Sequence, residues 1–302
     1  MKLIKWLLSA LLITTIVALQ AQNFADMGIP CSSYEGEFVD LKYCENSNLE
    51  ARLMKRLNKN PKWKKLINEK RLAVSLVDLS DVNNVKSAAV NGEEMMYAAS
   101  LPKIAILLAA MDAIEKGELE ESEALRSDMQ LMIAKSDNHA STRMIDRLGY
   151  QKIASVLEDS RYMLYDEAEG GGLWVGKRYA AGGKRYPDPI EGLSHAATTK
   201  QVARFYHMLA YGQLVTKARS EEMLSIMMNP KLHHKFVNTF EKIAPKAKLF
   251  RKSGSWSVYH SDSIMVWGPK RQYILVALVE DADGENIIRN LGKAADEVLR
   301  VK

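Results

Sequence analysis

Three short stretches, far apart in the chain, carry side chains suited to nucleophilic acyl chemistry: Ser100-Leu101-Pro102-Lys103, Ser136-Asp137-Asn138 and Lys252-Ser253-Gly254. A serine hydroxyl is a weak nucleophile until a neighbouring base removes its proton. Ser100 stands where an extended stretch, Met95 to Ala99, runs into an apolar helix. At a helix N-terminus it gains free backbone N–H groups and a positive local potential. Lys103 lies one turn later on the same face. Flanked by Ile104, Ala105 and Ile106, and near Lys252, its ammonium should lose a proton more readily than a free lysine. The neutral amine would then be the base for Ser100. The bland alternative makes Ser100 an ordinary N-cap and Lys103 a charge reaching out to solvent.

The other two stretches decide between these readings. At average residue usage one S-x-x-K is expected by chance in roughly 300 residues, a given S-D-N in about one such chain in twenty, and K-[ST]-G in about one in six. Each is weak alone, and their joint occurrence in this order is strong. Ser136-Asp137-Asn138 also makes a good turn and helix cap, and both roles can hold together. Lys252-Ser253-Gly254 falls on a strand, where the glycine admits a closely approaching backbone or ligand. The Ser255 N–H beyond it can serve as a second oxyanion donor beside that of Ser100.

The elements that must position these residues follow from periodicity. Residues 49–68 read as one amphipathic helix, and Leu72 to Leu79 as a buried strand. Turn signals at Asn83-Asn84 and Asn91-Gly92 predict a hairpin of two or three strands over 71–98. Helices are expected over 101–116, 121–135, 139–148, 151–158, 199–212 and 219–228. Residues 166–197, rich in Gly and Pro, form a long loop of the kind that is usually functional. Three strands over 248–258, 262–267 and 273–280 and a helix over 285–300 close the chain. The fold class is α+β: one antiparallel sheet from both chain ends, with a helical subdomain inserted.

With these residues and this order of elements the sequence resembles the class A serine β-lactamases and their penicillin-recognising, transpeptidase-like relatives, from about Arg71 to the C-terminus. The likeness is close in Tyr97-Ala98-Ala99-Ser100-Leu101-Pro102-Lys103 and in Ser136-Asp137-Asn138-His139-Ala140, with Thr198-Thr199 opening a helix. It implies that Ser100 is acylated, that Lys103 is its base, and that Ser136 relays a proton to the departing nitrogen. Asn138 would hold the substrate's side-chain amide, and Lys252 and Ser253 its carboxylate. Two departures stand out. The stretch from Lys103 to Ser136 is shorter than in the family, and its loop motif of Glu, two residues, then Leu-Asn is absent. Glu167 and Glu169 lie in a comparable region without fitting that pattern, and are the candidate bases for releasing the acyl group. The leading expectation is a β-lactam hydrolase. The alternatives are a D-Ala-D-Ala-type peptidase or esterase, and a protein acylated once without turnover.

Bulk properties narrow the classes further. The chain has 302 residues, 47% of them hydrophobic and 26% charged, which suits a globular domain and argues against disorder. Met1 to Lys5 is a short basic start, followed by an uncharged run from Trp6 to Leu19 and small residues at Ala18 and Ala21. This reads as a signal peptide over 1–21, hence a secreted or periplasmic protein with no stable membrane anchor once it is cleaved. Its removal takes away Lys2 and Lys5, and the net charge falls from +5 to +3. Spread over the chain, that excess gives no support to a nucleic-acid role, and none is expected. The expected partner is a small β-lactam or peptide-like substrate, and the expected state a monomer.

Residues 22–48 form an N-terminal segment in which Cys31 and Cys44 are a candidate disulfide in an oxidising compartment. Residues 49–302 form one catalytic domain. No Cys/His cluster has metal spacing, so neither a metal nor another cofactor is expected. Gly171 to Lys177 spells part of a phosphate-binding loop, but Arg178 follows in place of Ser or Thr.

Overall fold

The computed structural model describes residues 24, 26–228 and 230–300; the signal-peptide reading of residues 1–21 lies outside them. A short helix α1 (Pro30–Ser33) is followed by α2 (Ser47–Leu57) and α3 (Pro61–Asn68). The single helix read over 49–68 is thus two. Pro61 disfavours the helical conformation for the residue before it. Asn60 instead caps α3, its Oδ1 accepting from the N–H groups of Lys62 and Trp63.

The main sheet is built from both ends of the chain, as the sequence led us to expect. Strands β1 (Leu72–Asp78) and β2 (Lys86–Val90) form a hairpin, followed by a short strand β3 (Met96–Tyr97). The third strand of the expected hairpin does not join them; β3 pairs with residues far along the chain, at Ala196 and Ala197. Four helices follow: α4 (Lys103–Glu115), α5 (Glu123–Ala134), α6 (Asn138–Leu148) and α7 (Tyr150–Leu157). The region read as a long loop carries four short strands: β4 (Tyr165–Asp166), β5 (Gly171–Gly172), β6 (Trp174–Val175) and β7 (His195–Ala197).

Helices α8 (Thr199–Ala210), α9 (Lys217–Met227) and α10 (Phe236–Ile243) lead to β8 (Lys248–Trp256), β9 (Tyr259–Gly268) and β10 (Arg271–Glu280). Helix α11 (Gly284–Arg300) closes the described chain. The sheet order β2-β1-β10-β9-β8 leaves β8 at an edge.

Both faces of this sheet are covered, which explains why β1 reads as an almost unbroken apolar run. Leu72, Val74 and Leu76 face one core with Tyr273, Leu275 and Ala277, under α2, α3, α10 and α11. Ala73 and Val77 face a second core with Ile274, Val276 and Leu278, under the inserted helices. At the centre of that subdomain every residue of α4 from Lys103 to Ile114 is buried. A helix apolar all round belongs in a core. Its one acid there, Asp112, is satisfied by Lys116, Lys152 and Arg161.

Two further features differ from the reading of the sequence. Helix α10 had no counterpart in the reading of the sequence. Cys31 and Cys44 do not form a disulfide; both thiols are free. Burial pushes the Cys31 thiol up to about 12, and its sulfur contacts the Ser32 hydroxyl. The Cys44 thiol instead donates to the Asp40 carbonyl, 3.6 Å away.

A buried ion pair fixes the sheet edge. Arg251 on β8 meets Asp262 on β9 through Nε–Oδ1 (2.7 Å) and Nη2–Oδ2 (3.0 Å), and their side chains are 2% and 0% exposed. Asp262 also accepts the Phe236 N–H at the start of α10. Removing one partner of such a pair strands the other charge in the interior. Asp262→Asn is therefore expected to lower the unfolding free energy by about 3–5 kcal/mol, measured by urea denaturation. A change under about 1 kcal/mol would show that the pair does not hold this edge.

Candidate active site

Ser100 sits on a constrained turn between β3 and α4. The Ala98 N–H donates to the His195 carbonyl (2.8 Å) as the last bond of the small sheet. Ala99 then takes a left-handed conformation, φ 51°. For a residue with a Cβ this costs about 1–2 kcal/mol, so the surroundings must hold it. They do so through the preceding and the same residue: the Ser261 hydroxyl donates to the Ala98 carbonyl at 2.7 Å, and the Tyr179 hydroxyl to the Ala99 carbonyl at 3.3 Å. The chain enters α4 with Lys103 N–H on the Ser100 carbonyl, 3.3 Å.

The Lys103 amine reaches from α4 to the Ser136-Asp137-Asn138 corner. It donates to the Ser136 carbonyl (2.7 Å) and to Asn138 Oδ1 (2.8 Å), with longer contacts to the Asp137 carbonyl (3.4 Å) and Ser136 Oγ (3.5 Å). That corner is also a helix cap: Asp137 Oδ1 accepts the Ala140 N–H at 2.6 Å. With the carboxylate spent on the cap and Ser136 at φ 57°, the corner presents its carbonyls and the Ser136 hydroxyl to the amine.

From the sheet edge, Lys252 Nζ donates to the same Ser136 Oγ at 2.9 Å and to the Ser253 carbonyl at 2.6 Å. One hydroxyl thus joins all three motifs. Burial, opposed by the Asp137 charge, brings the Lys103 amine down to about 7. Burial, and next the charge of Lys103, holds Lys252 well below its ordinary value.

Strand β8 also meets the Ser100 turn directly. A Cβ on Gly254 would lie 2.3 Å from the Ala98 carbonyl oxygen and 2.5 Å from the Ser100 nitrogen. Only glycine allows this approach. Trp256 and Tyr259 close a two-residue hairpin, and hydrogen-bonded pairs alternate inward from such a closing pair. That alternation turns the Ser255 N–H to the free edge of the sheet, beside the Ser100 turn.

The structure therefore joins Lys103, Ser136, Asn138 and Lys252 by side-chain hydrogen bonds and sets the Ser100 backbone against Gly254, between Ser253 and Ser255 on β8. It does not bring in Glu167 or Glu169. Both are exposed on a single 3-10 turn between β4 and β5, and Glu169 borders a cavity lined by Lys70, Glu93 and Lys200 rather than by any motif residue. The loop contributes an aromatic group instead. The Lys103 ammonium lies over the Tyr179 ring, 4.3 Å from its centroid. Tyr179 packs on His195 (4.3 Å between centroids), which burial brings down to about 4.

Neither Tyr179 nor Lys235, a buried lysine behind β8, was singled out in the sequence. Tyr179 stands among Gly and basic residues with no local pattern. Lys235 carries a weak signal, as a basic residue directly before the apolar Phe236-Val237. Among the described residues no group of three or more His, Cys, Asp or Glu is placed to hold a metal ion.

Comparison with known proteins agrees with this arrangement of elements. A family model described as "Beta-lactamase enzyme family" matches residues 61–130 and 124–299. Among solved structures, a β-lactamase from Sphaerobacter thermophilus is 16% identical, covering 85% of this chain and 98% of its own, with a TM-score of 0.63. A β-lactamase from Xanthomonas campestris pv. campestris is 15% identical over 84% of this chain and 100% of its own, TM-score 0.64. A mutant of PBP-A, described as an acyl-enzyme complex with penicillin G, is 19% identical over 84% of this chain and 97% of its own, TM-score 0.63. At these identities the likeness is one of fold. Among curated protein sequences no match is found.

The Lys103 environment has a direct consequence for titration. Its amine should change charge with a midpoint near pH 7 instead of the ordinary 10.5, followed by the 15N shift of the lysine side chain. Between those values the unfolded chain holds a proton that the folded chain lacks, so this group makes stability rise with pH across that window. A midpoint above 9 would show that the amine is hydrated.

Proposed function

The chain belongs to the beta-lactamase enzyme family, and on that premise we propose that it is a serine hydrolase in which Ser100 attacks the amide carbonyl of a β-lactam or a D-Ala-D-Ala-like peptide. The observation that carries this reading is the Ser136 hydroxyl shared by Lys103 and Lys252. It connects the nucleophile's helix with a group able to pass a proton to a leaving nitrogen.

In the proposed reaction neutral Lys103 takes the Ser100 proton as Oγ bonds to the carbonyl carbon. The oxyanion that forms is met by the N–H groups of Ser100 and Ser255. When the carbon–nitrogen bond breaks, Ser136 gives its proton to the nitrogen and recovers one from the lysine pair. Asn138 accepts from Lys103 through Oδ1, which leaves its NH2 to donate to the substrate's side-chain carbonyl. Lys252 and Ser253 supply the positive, hydroxyl-bearing floor for a carboxylate.

A specific observation favours slow release of the acyl group. No carboxylate hydrogen-bonds to Lys103 among the described residues, and the Tyr179 ring covers the amine from the side of the loop. Activating a water for deacylation needs a base within hydrogen-bond reach. The second reading is therefore a peptidase or a β-lactam-binding protein whose acyl-enzyme persists.

One experiment separates the two. The purified protein is mixed with a chromogenic cephalosporin, and colour and intact mass are followed together. Continuous colour release beyond one equivalent would establish a β-lactamase. One equivalent of colour with a lasting adduct, absent in Ser100→Ala, is the outcome that the Tyr179 geometry leads us to expect. No adduct on wild-type protein with either a cephalosporin or penicillin G would overturn the acyl-serine reading for β-lactams.

A further inference from the structure

Lys235 is completely buried, and its backbone is in an unusual conformation, φ 54° and ψ −125°. Its ammonium donates to the Gly254 carbonyl (2.6 Å), the Ser255 hydroxyl (2.8 Å) and the Ser261 carbonyl (3.1 Å). All three acceptors are neutral. The acids whose charges reach it, Asp262 and Glu285, act over a longer range, and Asp262 is already engaged by Arg251. A buried charge held by neutral acceptors keeps its field, whereas one paired to a carboxylate is largely cancelled. Such a lysine is costly for stability alone.

Its strongest acceptor identifies where the field goes. The Gly254 C=O and the Ser255 N–H belong to one planar amide. Drawing electron density toward the oxygen leaves the N–H more acidic, the same polarisation that strengthens chains of hydrogen bonds in a low-dielectric interior. That N–H faces the free edge of β8, and Gly254 brings the amide against the Ser100 nitrogen.

We propose that Lys235 is a positioning residue that polarises the Gly254–Ser255 peptide from behind, making its N–H a stronger donor to the oxyanion formed on attack by Ser100. The inference rests on the acyl-serine reading above. It adds a charge outside the three motifs to the stabilisation of negative charge in the site. Its charge also reaches Lys252, but the effect proposed here is the one specific to states in which the substrate oxygen is anionic.

The test compares wild type with Lys235→Met, which keeps the volume and loses the charge. If that variant does not fold, Lys235→Gln replaces it, since its amide still donates to a carbonyl. Three quantities are read: the acylation rate at saturating cephalosporin, the dissociation constant before acylation, and the affinity for an arylboronic acid, which forms an anionic tetrahedral adduct on serine. The expected result is acylation about tenfold slower and boronate affinity about tenfold weaker, a part of the effect of deleting an oxyanion donor outright. The constant before acylation should stay within about twofold of wild type, since its ligand carries no oxyanion. A folded variant with wild-type acylation and boronate affinity would overturn the proposal. So would equal loss in all three quantities, which marks a general disturbance of the site. If wild-type Ser100 takes neither reagent, the acyl-serine reading itself has failed, and this is seen before any variant is made.

Discussion

Two lysine amines converging on one serine hydroxyl are the constraint around which this protein is arranged. Lys103 and Lys252 both contact Ser136 Oγ, at 3.5 and 2.9 Å, so their nitrogens lie no more than about 6.4 Å apart. At an effective dielectric of about 20 two like charges at that distance repel by about 3 kcal/mol. Burial adds to this repulsion, because both amines are withdrawn from water. The low-energy arrangement near neutral pH is one in which the pair does not carry two full charges. A basic, unprotonated amine at the Ser136 corner is thus a property of the packing rather than of any one residue.

Holding such an arrangement requires rigidity on three sides. Helix α4 is buried along its length, so the Lys103 stem cannot swing to solvent. The Ser136 corner is tied by its own helix cap, and β8 is tied to β9 and α10 by the Arg251–Asp262 pair. The left-handed residues Ala99 and Ser136 fall where two of these supports meet the site. Local strain of this kind persists only where the surroundings over-determine it. Here the carbonyls of Ala98 and Ala99 are each clamped by a hydroxyl from a different part of the chain.

Much of this was legible in the sequence, for physical reasons that differ by element. The strands and the buried helix announce themselves because burial on both faces demands apolar runs, as in Leu72 to Leu79 and Leu101 to Ile114. The motif residues were legible because acyl chemistry restricts residue type so tightly. Pairings over long sequence separation were not, and β3 joined β7 rather than the neighbouring hairpin. Tyr179 was invisible because its part depends only on where a loop lies. The two free cysteines show the same limit. Nearness in sequence suggested a bond, but each sulfur sits in its own environment, one by Ser32 and one over the Asp40 carbonyl.

On the acyl-serine reading proposed above, the balance between forming and releasing an acyl group falls to the loop. Acylation needs a basic amine, a relay and an oxyanion site, and α4, the Ser136 corner and β8 supply groups for all three. Release needs a water on the acyl carbon and a base to deprotonate it. The loop instead sets the Tyr179 ring on Lys103, held by its hydroxyl and by His195. An aromatic face attracts the ammonium form of the amine and excludes water from the same volume. The first effect bears equally on Lys103 as the proposed base for Ser100, so only the second, the loss of space for water, separates release of the acyl group from its formation. Among the described residues the two exposed acids on the turn at 167–169 make no hydrogen bond or ion pair with the motifs, and Glu169 borders a cavity that no motif residue lines. On the acyl-serine reading proposed above, the Tyr179 ring therefore bears on the second half of the chemistry through the space it occupies beside Lys103.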